Sequence, residues 1–112
     1  MSVPIKCRGK LILYIKNSFF DLLHTTITEI IEKENLEITS NIEALLKKTD
    51  QSDYGPGGII ADVADYLKST EDVLFFANLV RRAIEDQESI GHLDSIQNFY
   101  QELLKYAEEL KE

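Results

Sequence analysis

Lys10-Leu-Ile-Leu-Tyr-Ile-Lys16 is the run on which the fold class turns. It suits either a short strand or a first helical turn. Ile12, Ile15, Phe19 and Leu23 continue one helical stripe through the run and past it, and on that spacing the run is read as helix. Ser18 followed by Asp21 resembles a capping box with Asp in the Glu position, so a new helix can start there. Phe19, Leu22, Leu23, Thr26, Ile27, Ile30 and Ile31 extend the apolar face, and Asn35 is the expected C-cap. Upstream, residues 1–9 read as a flexible basic N-terminus.

Downstream the apolar spacing stays helical. Ser40-Asn-Ile-Glu43 is a capping box for a short helix carrying Ile42, Leu45 and Leu46. A Gly/Pro turn at 55–58 leads into an expected helix of about 59–68, with Ile60, Val63, Ala64 and Leu67 facing inward. Ser69-Thr-Glu-Asp72 is a further capping-box-like start. The helix it opens, to about Gln87, is apolar nearly all round in its first half and is expected to be central. Gly91-His92 marks a loop. A last helix from Asp94 or Ser95 carries Ile96, Phe99, Tyr100, Leu103, Ala107 and Leu110 on one face. Short connections between amphipathic helices imply antiparallel neighbours. The expected fold is thus all-α, a small antiparallel bundle of four to five helices in one domain over residues 1–112.

The totals restrict the function classes. With 112 residues, 44% apolar and 29% charged, the chain can bury a core and is not a disordered acidic tail. Its formal net charge of -8 is unevenly spread. Residues 1–17 hold Lys6, Arg8, Lys10 and Lys16 and no acid, whereas the rest holds eight bases against 20 acids. Such a body repels phosphate backbones, which argues against nucleic acid as a partner. It attracts cationic partners over about 10 Å at moderate salt. Cys7 is the only cysteine, so no internal disulfide and no Cys-based zinc site can form. Lone-cysteine usage favours a reducing compartment, most simply the cytoplasm. No apolar run approaches the roughly 18 residues that span a bilayer. Leu11-Ile-Leu-Tyr-Ile15 is too short for a signal peptide and lacks a small-residue cleavage site, so the mature protein is read as the whole chain.

Catalytic chemistry finds little support. His24 lies in a dense apolar helix, where a structural role is expected. His92 sits beside Gly91 with Asp94 two residues on, which suits a turn or cap better than acid–base work. Cys7 has no surrounding nucleophile motif. Gly55-Pro-Gly-Gly58 lacks the Gly-Lys-Ser/Thr ending of a phosphate loop. Asp50-x-Ser-x-Tyr-Gly55 places glycine as a calcium loop does, but Tyr54 and Ala61 stand where ligands are needed. No Glu-x-x-His motif accompanies Asp62 and Asp65. Arg81 and Arg82 can pair with Glu85 and Asp86 on one helix. The basic segment 6–16 has no clear amphipathic pattern for a membrane or nucleic acid. No cofactor, metal or enzymatic activity is expected.

Residues 50–72 remain the richest segment, with six carboxylates, one lysine and two tyrosines. Asp50, Asp53 and Tyr54 precede the turn. On a helix of 59–68, Asp62, Asp65 and Tyr66 would share the outer face, and Glu71 and Asp72 begin the next helix. These eight are the candidate partner-binding residues: carboxylates for lysine and arginine, tyrosines as buried anchors.

Pro56-Gly-Gly-Ile-Ile-Ala-Asp-Val-Ala-Asp-Tyr66 resembles the Pro-Ser-Gly-Ile-Val-x-x-Val-x-x-Trp segment of immunity proteins for colicin-type nucleases. The match covers about eleven of 112 residues. That family carries a tyrosine doublet well before the proline, whereas here Tyr54 stands alone two residues ahead. Immunity proteins of contact-dependent growth inhibition systems, and those of tRNA-cleaving colicins, are similarly small, acidic and often helical. The resemblance implies a cytoplasmic helical inhibitor that binds a basic toxin domain, a nuclease above all, as a 1:1 complex. A non-catalytic helical adaptor, a regulatory subunit or an antitoxin of another type is the alternative.

Overall fold

Ser2–Cys7 (β1) and Lys10–Lys16 (β2) pair antiparallel in a hairpin, as the computed structural model of residues 2–50, 61–86 and 93–111 describes it. The hairpin turns through Arg8 at φ 56° and Gly9 at φ 82°. Two successive left-handed residues define the type I′ turn, whose twist matches that of the flanking strands. The register shifts between Ile5 and Lys6: Ile5 faces Leu13 and Lys6 faces Leu11, which leaves Ile12 as an extra residue on β2. This bulge explains why the neighbours Ile12 and Leu13 are both buried, which strict strand alternation forbids. Ala61–Asp62 (β3) adds to the other side of β1 in parallel, so the sheet order is β2-β1-β3.

The expected all-α bundle is therefore corrected to an α+β fold, four α-helices against a three-stranded mixed sheet among the described residues. The helical spacing of Ile12, Ile15, Phe19 and Leu23 straddles a strand–helix junction. The bulge turns Ile12 and Ile15 inward from β2, and Leu23 is buried from the helix that follows. The segment read as a flexible basic tail is the central strand, with Val3 and Ile5 buried.

Helix α1, Asn17–Lys33, continues directly from β2; its N-cap is Lys16 and no side chain caps it, so the Ser18 box is not used. It stops in a Schellman motif. Asn35 takes φ 51°, and the N–H groups of Leu36 and Asn35 reach the carbonyls of Ile31 and Glu32 at 3.0 and 3.2 Å. His24 Nε2 lies 2.8 Å from the Leu46 carbonyl, which fixes the Nε2–H tautomer and ties α1 to α2, Ser40–Lys48. The α2 cap is Thr39, one residue before the expected Ser40: Thr39 Oγ1 accepts from Ile42 N at 3.3 Å.

Helix α3, Thr70–Asp86, is central as expected, packed on both α1 and α4, Leu93–Lys111. Val73, Phe76, Ala77, Val80 and Ala83 are buried along it, and Ile96, Phe99, Leu103 and Ala107 along α4. Phe76 and Phe99 meet edge to face with centroids 6.3 Å apart. The Arg82 guanidinium closes α3 onto the end of α1 through a two-pronged pair with Glu34. That hydrogen bond, ahead of the charge attraction, holds the Glu34 carboxyl below its ordinary range.

Candidate partner-binding surface

The eight candidate residues separate into distinct environments. Asp53 and Tyr54 lie outside the described residues, as does the Gly/Pro turn. The expected helix of 59–68 is not formed over 61–68. Ala61–Asp62 is strand, and Val63–Asp65 is a single 3-10 turn closed by Tyr66 N and Leu67 N on the Val63 carbonyl at 3.1 and 2.8 Å. Val63 and Leu67 still point into the core, so the inward half of the reading survives the change of element. The outward half does not, because Asp62 is not on a common helical face with Asp65 and Tyr66.

Asp62 turns back onto the hairpin. Its Oδ1 accepts from Arg8 N at 3.0 Å and from Ala64 N at 2.9 Å, and its Oδ2 accepts from Gly9 N at 2.8 Å. Burial alone would raise its pKa, but the Gly9, Ala64 and Arg8 N–H groups outweigh that and lower it. One carboxylate thus satisfies both turn residues and caps the 3-10 turn, because a short acceptor side chain competes with helix formation at its own position. The hairpin tip is held further by Arg8, whose guanidinium lies 4.8 Å from the Tyr106 ring centroid and pairs with Glu109 at 2.5 Å. Tyr106 in turn donates to the Leu67 carbonyl at 2.9 Å.

Asp72 is also inward. It is buried, and its Oδ1 accepts from Thr39 Oγ1 at 3.1 Å, joining the start of α3 to the start of α2. Its N–H bonds Ser69 Oγ at 3.1 Å, so half of the expected capping box forms while the acid partner serves a different element. Asp50 is half-buried after α2. Tyr66 is half-buried and packed against the core. Asp65 and Glu71 are exposed on either side of the 66–69 connection, and neither carboxylate meets a cation or donor among the described residues.

Other polar groups have structural duties. Burial, then the charge of Asp62, pushes the Cys7 thiol up to about 11, which keeps it protonated and a poor nucleophile at neutral pH. Among the described residues no three His, Cys, Asp or Glu side chains converge to hold a metal ion. No helix among them is long and apolar enough to cross a membrane. The sequence reading missed the exposed side of β2, where Leu11 and Tyr14 are 50% and 61% accessible. The Arg8-Gly9 pair between two apolar runs was the available signal for a hairpin.

Comparison with protein-family models, with curated proteins and with solved structures finds no match to this chain. The likeness of 56–66 to the colicin-type segment rests on those residues alone, of which 61–66 form strand and turn.

Proposed function

We propose that this protein is a non-catalytic inhibitor of the immunity type, which binds a cationic toxin domain, a nuclease above all, in a 1:1 complex. The observation that carries this reading is the distribution of charge. Five of the eight bases after residue 17 are drawn onto acids of the body: Lys47 on Glu43, Arg81 on Glu85, Arg82 on Glu34, Lys105 on Glu102 and Lys111 on Glu108. Among the described residues, Asp65 and Glu71 are exposed acids that meet no cation. A surface of that kind recognises a nucleic-acid-binding cleft by charge complementarity. The contact set is then Asp50, Asp65, Tyr66 and Glu71 together with Asp53 and Tyr54. Asp62 and Asp72 support the frame.

The test is affinity capture of the tagged protein from its source cells, repeated with Asp65→Lys/Glu71→Lys. A single basic partner at one-to-one ratio, weakened by at least about tenfold in the charge-reversed variant, is expected. Equal affinity for both forms would remove the acidic surface from the interface. The adaptor reading is favoured by one observation, the exposed Leu11 and Tyr14 on β2.

A further inference from the structure

The turn that presents Asp65 and Tyr66 is a single 3-10 turn over Val63–Asp65, closed by Tyr66 N and Leu67 N on the Val63 carbonyl. A first turn costs more conformational freedom than its own bonds return, so it needs outside support. Burial of Val63 and Leu67 draws the segment onto the core, but apolar attraction is non-directional and does not fix the path between them. The directional contacts come from distant parts of the chain and sit at both ends. At the start, β3 lies on β1, and the Asp62 carboxylate accepts from Arg8 N, Gly9 N and Ala64 N at 3.0, 2.8 and 2.9 Å. At the end, the Tyr106 hydroxyl donates to the Leu67 carbonyl at 2.9 Å. Arg8 joins the two ends, because its main chain serves Asp62 while its guanidinium lies 4.8 Å from the Tyr106 ring centroid. Hairpin tip, contact segment and α4 thus close into one circuit.

We infer that Tyr106 and Arg8 are positioning residues of the partner surface, a role that rests on the inhibitor reading above. The clasp they form with Asp62 and Leu67 holds the 63–67 turn in its binding conformation before the partner arrives. A preformed turn removes the entropy cost of ordering it on binding, so the clasp adds affinity without touching the partner. Tyr106 is suited to this: it is buried, and its hydroxyl bonds inward, out of a partner's reach. Asp65 is exposed and Tyr66 half-buried between the two anchored ends, so the side chains a partner would meet are those whose direction the clasp sets.

Tyr106→Phe tests it, since the change deletes the hydroxyl and keeps the ring beneath Arg8. Amide exchange followed by NMR is expected to quicken about tenfold at Ala64, Tyr66 and Leu67. Arg8→Gln, at an exposed position, removes the cation over the ring and is expected to quicken the same amides about threefold. Val80→Ala, a buried truncation on α3, lowers global stability and is expected to leave those three amides within about twofold of the parent. Tyr106→Phe is also expected to hold the captured basic partner about fivefold more weakly, and Val80→Ala to hold it as the parent does. Parent-like exchange in both clasp variants, equal quickening in Val80→Ala, or a tenfold quickening in Tyr106→Phe that leaves capture at parent strength would each overturn the inference. A parent chain that captures no basic partner would instead sink the inhibitor reading, and the positioning role with it.

Discussion

Asp62 is the side chain on which the hairpin, the short strand and the 3-10 turn all depend. Left-handed Arg8 and Gly9 place two adjacent N–H groups where a single carboxylate can receive both. Charge-assisted bonds of this kind are worth more than neutral ones. Asp62→Asn keeps one acceptor but turns an amide donor toward a main-chain N–H, and is expected to cost about 2 kcal/mol in chemical denaturation. The pH dependence follows in sign. The folded-state pKa lies below the ordinary 3.8, so the contribution is complete above 3.8 and is lost as pH falls through the folded value. An acid titration of stability should therefore be flatter below about pH 4 in Asp62→Asn than in the parent. Parallel curves would show that this carboxylate does not hold the turn.

At the level of elements, β1 is the component most at odds with a reading of residues 1–9 as a tail. It lies between β2 and β3 and buries Val3 and Ile5. Ile5→Ala is expected to destabilise by about 2–5 kcal/mol, whereas Leu11→Ala, at a half-exposed site, should stay within about 0.5 kcal/mol. Deleting residues 2–9 should abolish the cooperative thermal transition altogether, measured by circular dichroism. A truncated chain that melts like the parent would mean that the strand contributes nothing to the core. The helices behave differently. α3 and α4 were legible because each presents an uninterrupted 3.6-residue pattern, and α3 begins at Ser69, whose hydroxyl does cap it. β2 was not legible because its bulge replaced alternation with the adjacent inward pair Ile12 and Leu13.

Over the whole molecule, charge is separated between a basic hairpin and an acidic body. Attraction between them is realised at the hairpin tip, where Arg8 meets Glu109 at 2.5 Å and Lys10 meets Glu102 at 3.4 Å. The body's remaining acid excess is self-repulsive at neutral pH, with a sequence pI near 4.7. Tm at neutral pH is accordingly expected to rise between about 0.01 and about 0.15 M salt, since the Debye length shortens from about 30 Å to about 8 Å and screens the repulsion. Scanning calorimetry at the two ionic strengths decides this; a lower Tm at the higher one would mean that ion pairs outweigh repulsion. The acidity on which the proposed cationic partner rests was visible in composition alone. Which acids remain outward was not, since Asp62 and Asp72 look no different from Asp65 in the sequence.

Composition determined the net charge, and local spacing determined the inward faces of α1 to α4 and the Asn35 stop, but the same spacing also suggested helix over 10–17 and over 59–68, where β2 and, within 61–65, a strand and a 3-10 turn stand instead. Only the tertiary structure decided that 2–16 is a hairpin, that Ala61–Asp62 is a strand, and that Asp62 and Asp72 face inward. Those outcomes rest on partners far apart in the chain: Asp62 finds Arg8 across 54 positions, and Asp72 finds Thr39 across 33. A strand pairing or a shared carboxylate leaves no periodic trace at such separations. Its free energy comes from main-chain groups whose hydrogen bonds are satisfied only once the distant segments have met.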